Sequence, residues 1–336
     1  MKKIKLGLVF GGRSAEHEVS IMSSKSVLAV IDKDKYQVST IFISKKGQWH
    51  VLESLDGPMP EDQSASLIDQ EVMALLLDQD LVLPVIHGPF GEDGKLQGFF
   101  DTLNIQYVGS DVLSSALCMD KIVSKHLLEK EGFETAGFYS MTGTREDEMT
   151  GLIKWIDKVG YPVYIKPSNM GSSVGISKVS SLADLQPALD LALEYDSRVI
   201  IEEAISGREI ECAVLEGDHL IVSGLGEVVA TDDFYDYETK YVDDGKAKMA
   251  IPATNIPDNI REEIRKQAKE AFVLHGCKGL ARVDFFLEDG SGRIVLNEIN
   301  TLPGMTAFSM YPELFKEMGM SYRDLIDRLI ESVTYK

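Results

Sequence analysis

The chain reads as an α/β domain built on a parallel sheet, followed by α+β sections built on hairpins, and three observations predict it. Residues 3 to about 110 alternate strand-like apolar runs with helix-like ones, the βαβ pattern of a sheet covered by helices. From about residue 121 the texture changes to short strands separated by single helices and Ser/Gly turns. At 336 residues the chain is also too long for one compact core and suits two or three domains.

In order, the first section holds the strands "KIKLGLVF", "VSTIFIS" and "LVLPVI" and the helices "EVSIMSSKSVLAVID" and "GKLQGFFDTL". The second opens with a helix near Lys121, then strands near "TAGFYSM" and "YPVYIKP" and the loop "SNMGSSVGIS". A helix near 181 to 194 and the strands "RVIIEEAI" and "REIECAVLEG" complete it. The third contains "HLIVSGLGEVVA", a polar aromatic segment over about 230–249, and a helix from about 258 to 275. The hairpin "ARVDFFLEDGSGRIVLNEINTLPGMT" and a pair of C-terminal helices follow. The predicted domains are 1–120, 121–214 and 215–336.

Composition removes several classes of function. A net charge of −20 with no basic block repels a phosphate backbone, so nucleic acid is not an expected partner. No apolar run approaches the roughly 20 residues of a membrane helix. The N-terminal lysines precede a short alternating run (Ile4, Leu6, Leu8, Phe10) that ends in "GGRSAE", which suits a first strand of a cytoplasmic protein better than a signal sequence. Cys118, Cys212 and Cys277 lack CxxC spacing and read as buried reduced thiols.

The hairpin carries the clearest chemistry. Residues two apart on a strand share a face, so Arg282 projects with Asp284 and Glu298 with Asn300. A turn centred near Ser291 sets Asp284 opposite Glu298 and Arg282 opposite Asn300, gathering all four on one patch. Carboxylates collected there call for a cation, and oxygen ligands without Cys or His favour Mg²⁺ or Mn²⁺ over zinc. A plain surface hairpin with a solvated charged face is the alternative.

Lys166 ends an apolar strand and leads into a Ser/Gly loop whose backbone N–H groups suit phosphate oxygens, although GxxxxGK[ST] is absent. Beside the hairpin this points to a triphosphate; taken alone, it is equally a flexible loop. Lys121 opens a helix, a poor place for a cation unless an anion is near. Glu202, Glu203 and Glu209 flank apolar strand residues that could form an adenine pocket, or else are surface charge. "GGRSAEHEVS" does not satisfy GxGxxG; its helix N-terminus and Glu16 suit a small zwitterion whose ammonium Glu16 holds. His87 in "VIHGPFGEDG" stands at the carboxyl edge of a strand, where α/β sheets bind ligands, and ranks below Glu16. The segment 231–248 has the aromatic content of a lid.

Taken together, "GGRSAEHEVS", "HGPFGEDGKLQG", "YVGSDVLSSALCMDK", "IKPSNMGSSVGISKV", "FYDYETKY", "ARVDFF" and "NEINTLPGMT" occur in an order that resembles the D-alanine–D-alanine ligase family of the ATP-grasp superfamily, nearly end to end. The resemblance implies an N-terminal parallel-sheet domain before a two-domain ATP-grasp fold, and a homodimer in the bacterial cytoplasm serving peptidoglycan precursor synthesis. It implies ATP and D-alanine as substrates, with Asp284, Glu298 and Asn300 holding two Mg²⁺ ions for which Mn²⁺ can substitute. Lys121, Lys166 and Ser173 would bind phosphates; Glu202, Glu203, Ile205, Glu209 and Phe234 the nucleoside; Lys240 the transferring phosphoryl group. Glu16 and His87 would hold the first D-alanine, and Ser309 the carboxylate of the second. Arg282 and the N–H of Gly304 would stabilise the oxyanion, so Arg282→Ala is expected to be nearly inactive with its fold retained. Tyr241, with Ser172 and Glu16, would tie the lid to the first substrate. Its presence favours an amine over a hydroxy acid as second substrate, with D-lactate or D-serine ligation as alternatives. Thr239 departs from the commoner Ala of the family's lid, a change expected to be immaterial.

Overall fold

The computed structural model describes residues 2–60, 67–229 and 248–334. The first sheet has the order β3-β2-β1-β4. Its strands are β1 (Ile4–Gly11), β2 (Tyr36–Ile43), β3 (Trp49–Leu52) and β4 (Leu81–Val85). β1 pairs in parallel with β2 and β4, while β3 lies antiparallel on the edge and was not anticipated by the sequence. β1 alternates on paper, yet Leu6 to Gly11 are buried throughout, because a central parallel strand is covered on both faces. Around it pack α1 (His17–Val30), α2 (Gln70–Leu77), α3 (Lys95–Thr102) and α4 (Val112–Met119).

The second sheet, β5-β8-β6-β7, is antiparallel where its pairs are defined. It comprises β5 (Phe138–Met141), β6 (Val163–Pro167), β7 (Ser177–Val179) and β8 (Val199–Glu203). With it go α5 (Lys121–Lys130), α6 (Glu146–Val159) and α7 (Leu182–Tyr195). Asp120 starts α5 by accepting the Val123 N–H at 3.1 Å.

The third sheet runs β11-β10-β9-β12-β13. Its strands are β9 (Gly207–Leu215), β10 (Ile221–Val229), β11 (Lys248–Ala250), β12 (Leu280–Glu288) and β13 (Ile294–Asn300). β9 sits between β10 and β12, so the break between the second and third sheets falls between Glu203 and Gly207, not at 214. Periodicity marks β9 as a strand but cannot say which sheet it joins. The proposed lid section is described only from Lys248 onward, where it forms β11. Phe234, Lys240 and Tyr241 lie outside the described residues.

α8 (Asp258–Leu274) covers the outer face of this sheet, while α9 (Met310–Glu317) and α10 (Tyr322–Thr334) return to the first domain. One core joins Leu8 and Phe10 to Tyr311, Phe315 and Leu325. Each such large side chain contributes about 1.5–3 kcal/mol when fully buried. The Lys35–Asp327 pair at 2.6 Å ties the same two parts at the rim. This shared core fixes the carboxyl edge of the first sheet against the β12–β13 hairpin. No helix among the described residues is long and apolar enough to cross a membrane.

Candidate active site

The hairpin register is the one expected from its turn: Asp284 lies opposite Glu298 and Arg282 opposite Asn300. A bulge at position 297 then shifts the pairing, so Phe285 faces Leu296. The strand β9 on the other side brings Glu211 opposite Asp284, a carboxylate that sequence reasoning did not single out. Arg282 is wedged among them. Its Nε and Nη2 donate to the two oxygens of Asp284 at 2.8 and 2.7 Å, and Nε lies 2.9 Å from Glu211. Burial works against the Arg282 charge, but Asp284 and Glu211 outweigh it and push the guanidinium well above its ordinary range. Asn300 Nδ2 donates to Asp284 at 2.9 Å, completing the patch.

Lys121 enters from the start of α5. Its ammonium donates to the Met170 carbonyl at 2.6 Å and lies 3.7 Å from Glu298, the anion that its place at a helix N-terminus called for. The loop after β6 is held from below: Asn169 donates through N–H and Nδ2 to Asp196, and Ser168 Oγ donates to Asp120 at 2.9 Å. At its tip Ser172 and Ser173 have φ of 50° and 60°, a left-handed pair that turns the chain over the cavity. Gly171 there approaches Glu16 so closely that a Cβ would stand 3.3 Å from its carboxylate.

Glu16, just before α1, also lies against Gly88, where a Cβ would meet Oε2 at 2.3 Å and φ is +73°. The positive φ favours glycine there, and a Cβ would also push Glu16 aside. His87 is buried. Its Nδ1 sits 2.8 Å from the Leu302 carbonyl and so carries the proton, leaving Nε2 to accept from Ser23 at 3.0 Å. Burial lowers its proton affinity against the opposing pull of Glu16, so the ring is neutral. His87 thus braces the "TLPGMT" turn.

The residue that sequence reasoning missed here is Glu92. It accepts the N–H of Gly88 at 2.8 Å and of Leu302 at 3.1 Å, gripping from the other side the residue whose carbonyl His87 holds. Burial, helped by Glu16, pushes its carboxyl up to about 8. Its place in "HGPFGEDG" was the available signal. Beyond this clamp, Gly304 leaves only 2.9 Å between an added Cβ and Ser309 Oγ. Ser309 in turn accepts from Thr306 N–H at 3.1 Å.

On β8, Glu202 is 3 % exposed and receives two ammoniums, Lys125 on Oε1 at 2.8 Å and Lys166 on Oε2 at 2.6 Å. Burial opposes its ionisation, yet the two lysines together hold the carboxyl down at about 2. The charge of Lys166, disfavoured by burial, is likewise secured by Glu202 with help from Glu298 and Glu209. Glu203 alternates to the other side, where it accepts the Gly137 N–H at 2.9 Å and lies 3.5 Å from Arg293. Ile205, just past the end of β8, and Glu209, on β9, are half-buried.

A cavity of about 50 Å³ is lined by Glu16, Gly88, Glu92, Lys121, Gly171, Ser172, Glu298 and Asn300, among others. Elements distant in sequence therefore meet at one point. Asp284, Glu211 and Glu298 supply three negative charges against Arg282 and Lys121 nearby, and the donors are all oxygen. This fits a hard cation such as Mg²⁺ that completes its shell with phosphate oxygens. Among the described residues no group of three or more His, Cys, Asp or Glu side chains stands close enough to hold a metal ion by itself. The thiols of Cys118 and Cys277 come within 3.7 Å near this cavity, both buried and unoxidised.

Two family models match the chain: the D-ala D-ala ligase N-terminus over residues 5–110 and the D-ala D-ala ligase C-terminus over residues 127–331. The chain is 45% identical to D-alanine–D-alanine ligase A of Escherichia coli K12, covering 98% of this chain and 96% of that one. It is similar to the solved VanG D-Ala:D-Ser ligase of Enterococcus faecalis, with TM-score 0.83, 34% identity and 99% and 100% coverage. It is also similar to the D-alanine–D-alanine ligase of Bacillus anthracis solved with ATP, with TM-score 0.78, 29% identity and 99% and 98% coverage.

Proposed function

The chain belongs to the D-alanine–D-alanine ligase family and joins two D-alanines at the expense of ATP, and from that premise we propose how its residues divide the work. The observation that carries this reading is the convergence of Glu16, Lys121, the Ser/Gly loop, Glu298 and Asn300 on one cavity, with Asp284 and Arg282 linked to it through Asn300.

Lys121 and Lys166 hold the triphosphate, with Ser172 and Ser173 closing above it. The nucleoside lies by Glu202 and Glu209, its base edge read by the backbone from Glu203 to Ile205. Asp284, Glu298 and Asn300 would hold two Mg²⁺ ions, or Mn²⁺ in their place, which would supply charge neutralisation for the phosphates. The first D-alanine rests its ammonium on Glu16. Neutral His87 keeps charge away from that ammonium and steadies the site. The carboxylate of this D-alanine attacks the γ-phosphate of ATP, displacing ADP, to give the acyl phosphate. The amine of the second D-alanine, whose carboxylate Ser309 receives, then attacks the carbonyl. The developing oxyanion meets Arg282 and the Gly304 N–H, donors already fixed before reaction. Phosphate leaves, and the dipeptide remains. Roles for Phe234, Lys240 and Tyr241 rest on sequence resemblance alone.

Likeness to VanG, named for D-serine, keeps D-serine or D-lactate ligation as the competing reading. Cytoplasmic location, a homodimer and the absence of nucleic-acid or membrane partners belong to the same proposal; the net charge of −20 supports the last. A coupled assay of ADP release over D- and L-amino acids and D-hydroxy acids tests it. Release should require D-alanine and yield the D-alanine dipeptide. Predominant formation of D-alanyl-D-serine or of the depsipeptide at neutral pH would overturn the choice of second substrate.

A further inference from the structure

Lys125, in α5, is not among the candidate site residues read from the sequence. It lies one helical turn after Lys121, on the same face of the helix. In the fold its side chain is 2% exposed, 2.8 Å from Glu202 Oε1 and 5.9 Å from the centre of the Phe138 ring. The ion pair with Glu202 and the Phe138 ring beneath it hold the ammonium there. A buried ammonium is costly, and its retention calls for a reason.

Charge balance supplies one. Glu202 alone beside Lys166 would form a closed, neutral pair, leaving little attraction for phosphate. With Lys125 on the other oxygen, one carboxylate faces two ammoniums and the trio carries a net positive charge. We propose that Lys125 is a positioning residue of the ATP site: it neutralises and fixes Glu202, so that the charge of Lys166 is directed to the nucleotide phosphates. This rests on the reading that Lys166 faces those phosphates.

The test compares ATP, ADP and adenosine binding to the full-length protein by calorimetry, with adenosine measured by competition where weak. Lys125→Met should weaken ATP and ADP by at least about tenfold, the scale of a broken buried charge pair, and adenosine by a clearly smaller factor, since Glu202 also faces the nucleoside. Lys125→Arg should recover most of the loss. In the Glu202→Gln background, Lys125→Met should cost much less, because the charge it balances is gone. Should Lys125→Met not fold, Lys125→Gln, which keeps a donor without charge, carries the same test. Parallel loss of adenosine and ATP, or ATP affinity unchanged, would overturn the proposal. Lys166→Met separates it from its premise: unchanged ATP affinity in that variant removes the phosphate role of Lys166 itself.

Discussion

Arg282→Met should destabilise the protein as well as inactivate it, which revises the sequence expectation that the fold would be untouched. Arg282 is the counter-ion of Asp284, 2 % exposed, and Glu211, 5 % exposed. With charge centres about 4 Å apart and an effective dielectric of about 20, each contact is worth roughly 4 kcal/mol. Much of that is offset by desolvation of the three groups. Removing one partner leaves buried carboxylates uncompensated, for which a loss of about 3–5 kcal/mol is the appropriate scale. Restoring neutrality at Asp284 should return part of it, so Arg282→Met/Asp284→Asn should be about 1–3 kcal/mol more stable than Arg282→Met. Urea unfolding followed by circular dichroism, in EDTA so that no divalent ion rebalances the patch, measures both. A loss under about 1 kcal/mol, or no recovery in the double variant, would refute the view of Arg282 as a structural counter-ion. Its catalytic role is read separately, as a fall in kcat of about 10²–10³.

Two further outcomes follow from the same geometry. Glu92 holds its proton up to about pH 8 when folded, against an ordinary 4.5, so the native state binds a proton that the unfolded chain releases between those values. Stability from this group is therefore lost as pH rises through that window, by up to about 1.4 kcal/mol per unit, and flattens above it. Glu92→Gln should show a shallower decline between pH 5 and 8 in urea midpoints; superimposable pH slopes would discard the assignment. Glu298→Gln should raise the Mg²⁺ concentration for half-maximal ADP release by at least about tenfold, since even an outer partner of a metal ligand has that effect. An unchanged Mg²⁺ requirement would remove Glu298 from the ligand set.

The amino-acid sequence by itself determined most of the longer strands, several of the helices and the face of the hairpin on which Arg282, Asp284, Glu298 and Asn300 gather, but not β3, β7 or α6. Side-chain alternation and a turn centred near Ser291 are local properties, and they set the observed register. Only the tertiary structure decided what those groups touch. Glu211 reaches Arg282 because β9 pairs with β12, and Lys125 and Lys166 share Glu202 because α5, β6 and β8 meet. Leu302 is gripped by Glu92 and His87 through contacts 210 and 215 residues apart in the chain. Periodicity fixes the direction in which a side chain points along its own element. The partner it finds there depends on which distant surfaces bury one another, and that is settled by packing the whole chain.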